Sequence, residues 1–242
     1  MSGLIKNKIE AVIFDFDNTL TNTSKSITRA RKEVFVYIKK RHDITEKTYL
    51  EALQNASTEF RAKNFSDNID LYRILSKYAE LSLSEKETIE CKRIFIDSML
   101  SHMEFSKGIR PLFKWIKSQG LKIGILTDNS MFPDSDYKKK RLGNLPVINM
   151  VDLSVIATQT IPESKETPAS FIKTAEMLGI NPKKIIYVGD KPDNDIDNAK
   201  RANMIAVLFL GFSHPQHNVK DFRPDYIIDD LNDLVDIIKK YI

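Results

Sequence analysis

The segment AVIFDFDNTL, residues 11–20, runs four apolar residues straight into Asp15 and Asp17. Thr127, Asp128 and Asn129 end a second apolar run, Lys165 follows a third, and Asp190, Asn194 and Asp195 follow a fourth. If these runs are strands of an open α/β sheet, ligands bind beyond their carboxyl ends. Carboxylates from three strand ends, a hydroxyl and a lysine then converge on one edge. Like charges that close raise one another's pKa unless a cation intervenes. Oxygen donors with no His or Cys beside them suit Mg²⁺, a hard ion that keeps its waters and bridges to phosphate. Singly the residues mean little: an Asp after a strand commonly caps a turn, Thr127 could simply end a strand, and most lysines are solvated. Their order and spacing carry the reading.

The elements that must position these residues are legible in outline. The runs at 11–14, 122–128, 153–159, 184–190 and 204–211 are continuously apolar rather than alternating. That pattern predicts a parallel sheet covered on both faces. Helices are predicted between them. Pro111 and Gly120 bracket one, and Pro168 and Gly179 bracket another. A third ends at Asn203, a residue type that tolerates the left-handed conformation. Repetition of strand, helix, strand predicts a doubly wound, Rossmann-like α/β core.

Residues 22–107 break this rhythm and contain no convincing strand. Four helices are predicted there, at about 25–41, 46–62, 67–79 and 84–103. Thr45 is the expected N-cap of the second, and Ser84 with Glu87 fits a capping box at the start of the fourth. Ile89, Ile96, Met99 and Met103 form a stripe expected to face a core. The predicted organisation is an α/β core of 1–21 and 108–242 with a small all-helical domain of 22–107 inserted after the first strand.

Composition narrows the class. The chain has 242 residues, 42% apolar and 29% charged, as expected of a globular protein with a sizeable core. No apolar run approaches the ~18 residues of a membrane helix, so no membrane partner is expected. The lone Cys91 excludes an internal disulfide framework and suits a reduced, cytoplasmic setting. A net charge of +4 favours a small anionic substrate without requiring nucleic acid. The basic runs KKRH (39–42) and KKKR (138–141) lack interleaved aromatics and are read as solvated faces.

Taken together, DFDNT (15–19), ILTD (125–128), KETP (165–168) and GDKPDND (189–195) resemble, in order, the four motifs of the haloacid dehalogenase-like (HAD) superfamily. The insert resembles that family's small helical cap. Ser164 before the lysine and Glu166 after it depart mildly from the usual third motif. The resemblance implies that Asp15 is a nucleophile forming an aspartyl-phosphate and that Asp17 is the general acid and base. It implies phosphoryl contacts from Thr127, Asp128, Asn129 and Lys165. Mg²⁺ would be held by Asp15, Asp17 (through its main-chain oxygen) and Asp190, with Asn194 and Asp195 behind them. The dehalogenase branch lacks an acid two residues after the nucleophile, because a halide leaves unprotonated. Asp17 therefore favours phosphate-ester hydrolysis of a small metabolite.

Three other readings are considered. A phosphomutase shares the cap type and nucleophile. A non-catalytic phospho-ligand-binding protein keeps the fold. A receiver-type signalling domain places its acids, Thr and Lys in a different chain order. Arg61, Lys63 and Asn64 are candidate specificity contacts to a second anionic or hydroxyl group. His214 and His217 are read as part of a loop rather than as a metal pair. The particular metabolite, and the choice between monomer and homodimer, stay open.

Overall fold

The structure, a computed structural model, describes residues 8–62, 68–129, 135–212 and 222–242. Its sheet has six strands in the order β3-β2-β1-β4-β5-β6. They are β1 (Ala11–Phe14), β2 (Lys122–Asp128), β3 (Leu153–Ala157), β4 (Ile185–Gly189), β5 (Ile205–Phe209) and β6 (Tyr226–Ile228). All neighbours pair in parallel. Every residue of β1 and β4 is buried, as strands covered on both faces require. The sheet thus has the parallel α/β architecture that the apolar runs predict. β6 was not among the predicted strands. It is three residues long and exposes Ile227, so it carries no continuous apolar signal.

The start of the sheet uses its acids structurally. Asp152 Oδ2 accepts from Ile123 N at 2.7 Å, and Asp225 Oδ2 accepts from Ala206 N at 2.8 Å. Each is also neutralised by a lysine, Lys117 at 2.8 Å and Lys200 at 2.6 Å. Over one face, α7 (Pro168–Leu178) buries Phe171 and Leu178 against Ile13, Leu126, Val155 and Tyr187. Its Pro stands in the first turn and Gly179 ends it at φ 70°, while Asn203 takes φ 63° after α8 (Asn198–Arg201). Also in this unit are α5 (Ile109–Ser118) and α9 (Leu234–Ile238).

The described residues divide into two compact units. The first takes its residues from 1–23, 104–129 and 143–242, and the second from 24–103 and 130–142. The chain leaves the sheet unit after residue 23 and re-enters it at residue 104, and backbone bonds join the two passages. There Asn22 N donates to Glu104 O at 2.9 Å, Ser106 N to Leu20 O at 3.0 Å and Ser106 Oγ to Thr19 O at 2.5 Å.

The second unit is helical: α1 (Thr23–Lys39), α2 (Glu46–Ala62), α3 (Asn68–Tyr78), α4 (Glu85–Ser101) and α6 (Ser135–Gly143). Its core gathers Val34, Ile38, Tyr49, Leu53, Leu75, Cys91 and Phe95. Thr45 Oγ1 accepts from Thr48 N, and the Ser84–Glu87 capping box forms in full. The predicted stripe on α4 holds at Met99, which is buried, and at Ile96, which packs against the helical core, and is corrected at Ile89. Ile89 is exposed and Ile96 only half-buried, while Thr88, Cys91, Phe95, Ser98 and Met99 make the buried face. Small and polar residues escaped a reading that weighted only large aliphatics. The solvated reading of KKKR is also corrected. α6 adds Tyr137 to the helical core, and Lys138 and Arg141 are buried on it. A basic run does not disclose that long apolar stems can pack while the charges are satisfied elsewhere.

Candidate active site

Asp15 is the first residue beyond β1, and its N–H still pairs with Val188 O of β4 at 2.8 Å. Asp15 is 4% exposed, and its Oδ1 accepts a close hydrogen bond from Lys165 Nζ. The same Nζ lies 2.6 Å from Asp195 Oδ1. Asp190 follows β4 directly and is also buried. Oxygens of Asp15, Asp190 and Asp195 all lie within 4.8 Å of one another.

Asp195 reaches this cluster through an unusual turn. After β4 the chain makes a wide π-helical turn, Pro192–Asp197, in which Asp195 N and Ile196 N both donate to Lys191 O. Such turns often mark functional sites. Asp195 Oδ2 accepts from Lys191 N at 2.9 Å, and Oδ1 accepts from the Tyr187 hydroxyl at 2.9 Å. Gly189 makes room: a Cβ there would lie within 2.6 Å of the Asp195 Cβ. Asn198 Nδ2 donates to Lys165 O at 3.2 Å and to Asn194 O at 3.0 Å, tying the lysine loop to the turn.

The charges do not share protons evenly. Burial pushes Asp15 up to about 8; Lys165 opposes this, while Asp195, Asp190 and Asp17 add to it. Burial also works against the charge on Lys165, but Asp15 and Asp195 hold its pKa well above the ordinary lysine value. Asp195 is held below the usual carboxylate range: burial alone would raise it, but Lys165 and the Lys191 N–H prevail. Asp195 is thus the fixed counterion of Lys165, and Asp15 retains its proton unless more positive charge arrives.

Asp17 stands apart from the triad. Its Oδ1 accepts from Thr23 Oγ1 at 2.7 Å, and Thr23 Oγ1 is 2.9 Å from Thr21 Oγ1. Asn18, at φ 56°, turns the chain sharply after it. Thr127 is buried at the end of β2, Asp128 is partly exposed, and the buried Asn129 Oδ1 has no hydrogen-bond partner among the described residues. Asn194 is half-buried in the π-helical turn. The Arg61 side chain, Lys63, Asn64, His214 and His217 lie outside the described residues.

Four residues of this neighbourhood escaped the sequence reading, Thr23, Tyr187, Lys191 and Asn198, while Gly189 was read only as the start of the fourth motif. Tyr187 alone had a usable signal, a hydroxyl in the middle of an otherwise apolar strand.

Residues 12–209 match the family described as haloacid dehalogenase-like hydrolase. A glyceraldehyde 3-phosphate phosphatase of Methanopyrus kandleri is 26% identical over 238 residues, covering 96% of this chain and 98% of that protein. A phosphoglycolate phosphatase of Aquifex aeolicus is 24% identical over 241 residues, covering 97% and 99%. The solved 2-haloacid dehalogenase of Pseudomonas syringae pv. tomato DC3000 superposes with a TM-score of 0.67 at 19% identity, covering 97% of this chain and all of that one. The chain belongs to the haloacid dehalogenase-like hydrolase family. Among the described residues no helix is long and apolar enough to cross a membrane.

Proposed function

We propose that this protein is a Mg²⁺-dependent phosphomonoesterase for a small phosphorylated metabolite, acting through a phosphorylated Asp15. The supporting observation is the buried Asp15–Lys165–Asp195 constellation with Asp190 beside it. A divalent cation fits this donor set. Three buried carboxylates gather here, two of them against the single ammonium of Lys165, and burial pushes the pKa of Asp15 up to about 8 in the protein alone. A protonated acid is no nucleophile, and oxygen donors without His or Cys match a hard ion. Asp15, Asp190 and the Asp17 main-chain oxygen would hold the ion. When bound, it would supply positive charge that favours the ionised form of Asp15 and offsets charge on the phosphoryl oxygens.

The Asp15 carboxylate then attacks phosphorus, and the bond from phosphorus to the ester oxygen breaks. Asp17, oriented by Thr23, gives its proton to the departing alkoxide. In the second half, Asp17 takes a proton from water as the water oxygen attacks phosphorus. The bond to Asp15 breaks and inorganic phosphate leaves. Lys165 balances charge on Asp15 and the phosphoryl group, while Thr127, Asn129 and the Asp128 amide bind phosphoryl oxygens. Stabilisation of this kind dominates phosphoryl transfer.

The solved dehalogenase shares the fold, so the fold leaves the reaction open. An acid at position 17 favours ester hydrolysis, since an alkoxide needs a proton and a halide does not. The inserted helical unit is assigned the selection of small substrates by its resemblance to a cap. Glyceraldehyde 3-phosphate and phosphoglycolate, named for two relatives, are the first substrates to try. A cytoplasmic setting is in keeping with a single, buried cysteine. The test is phosphate release from a panel of phosphorylated metabolites, with Mg²⁺ and with chelator. Turnover by Asp15→Asn at near wild-type rate would refute the assignment.

A further inference from the structure

The Lys191 main chain holds Asp195, but its ammonium has no part in the chemistry above; burial works against that charge, while Asp15, Asp195 and Asp128 raise its pKa. Its side chain is 49% exposed, and its Nζ lies 3.9 Å from Oδ2 of Asp128, which is 36% exposed. The two residues belong to strands that are not neighbours. Asp128 ends β2, Lys191 lies just past β4, and β1 runs between them. Their link therefore spans about 10 Å of sheet edge, two strand spacings. Asp15 leaves β1 inside that span.

An ion pair this long and this exposed contributes little by itself. An anion offering better geometry takes the ammonium from Asp128 at small cost. Lys165, by contrast, is buried and committed to Asp15 and Asp195. The site thus has one cation fixed beneath the reacting phosphorus and a second, loosely held cation beside it.

We propose that Lys191 is a specificity residue whose ammonium leaves Asp128 to bind a second anionic group, a carboxylate or another phosphate, on the substrate. The enzyme would then prefer phosphorylated acids or bisphosphates to neutral phosphate esters. This inference rests on the phosphomonoesterase reading, but its test does not depend on turnover.

Binding is measured calorimetrically with Mg²⁺ for three phosphonates: phosphonoacetate, methylenebisphosphonate and ethylphosphonate. Wild type is compared with Lys191→Gln and Lys191→Arg. At least one doubly anionic probe should bind wild type about tenfold more tightly than ethylphosphonate, as one well-made charged contact allows. The preferred probe tells carboxylate from phosphate. The margin should vanish in Lys191→Gln and largely return in Lys191→Arg. No margin in wild type, a margin that survives Lys191→Gln, or equal loss for all three probes overturns the proposal. If a Lys191-dependent margin is found in a protein that releases no phosphate from any ester, the phosphatase reading fails, and what stands is the Lys191 contact to a second anionic group.

Discussion

The Tyr187 hydroxyl donates to Asp195 Oδ1 at 2.9 Å, the same oxygen that lies 2.6 Å from Lys165 Nζ. The phenol therefore helps keep Asp195 ionised, and an ionised Asp195 holds Lys165 against Asp15. Tyr187→Phe keeps the ring packed on Phe171, 4.7 Å between centroids, and removes only the donor. One lost hydrogen bond of about 1 kcal/mol corresponds to roughly a fivefold loss of kcat. Loss of a donor to the charged form raises the Asp195 pKa. The acid limb of the kcat profile should accordingly move to higher pH, a change that simple loosening of the core would not produce.

The raised pKa of Asp15, about 8, sets a pH dependence for the protein without metal. The folded state holds this proton more tightly than the unfolded chain does. The stabilisation is full below the ordinary carboxylate pKa and is lost as pH rises through about 8. Melting temperatures measured in chelator should fall across that window. Mg²⁺ binding at pH 7 should release close to one proton, read by calorimetry in two buffers of different ionisation enthalpy. Asp15→Asn should release almost none.

Asp17 and Thr23 form a further testable pair, 2.7 Å apart. Asp17→Asn removes the acid, and general acid catalysis is worth about 10²–10⁴-fold. The loss should approach that range for an alkyl phosphate and shrink for an aryl phosphate with a good leaving group. Thr23→Val should show the same leaving-group dependence in weaker form. An equal loss for both esters would mean that Asp17 acts elsewhere than on the leaving oxygen.

The helical unit offers a stability prediction independent of catalysis. Glu87 accepts from Ser84 N and Ser84 Oγ at 2.9 and 2.7 Å and lies 2.9 Å from His42 Nε2. The Ser84 bonds, with help from His42, lower its pKa to about 2. A depressed carboxylate stabilises the fold above its unfolded pKa and loses that effect as pH falls towards 2. Glu87→Ala should lower stability by about 1 kcal/mol at pH 7, the usual worth of a cap. Urea denaturation of the two proteins should converge near pH 2.

How far the primary structure reveals this molecule depends on the range of each interaction. β1 and β4, the caps at Thr45 and Ser84, and α2 at 46–62 were all readable, because side-chain period and capping act within a few residues. The acids at the strand ends could be placed by the same logic, since an apolar run must stop somewhere and a parallel sheet gathers its stops on one edge. The contacts that make those residues a site were not readable. Lys165 meets Asp15 across 150 positions. Lys191 faces Asp128 only because β1 was laid between β2 and β4. Tyr187 and Gly189 matter through a π-helical turn that no local periodicity announces. The chain's own pattern thus specified which groups stand at the sheet's edge. Folding set the distances between them, and with those distances which carboxylate stays charged and which holds its proton.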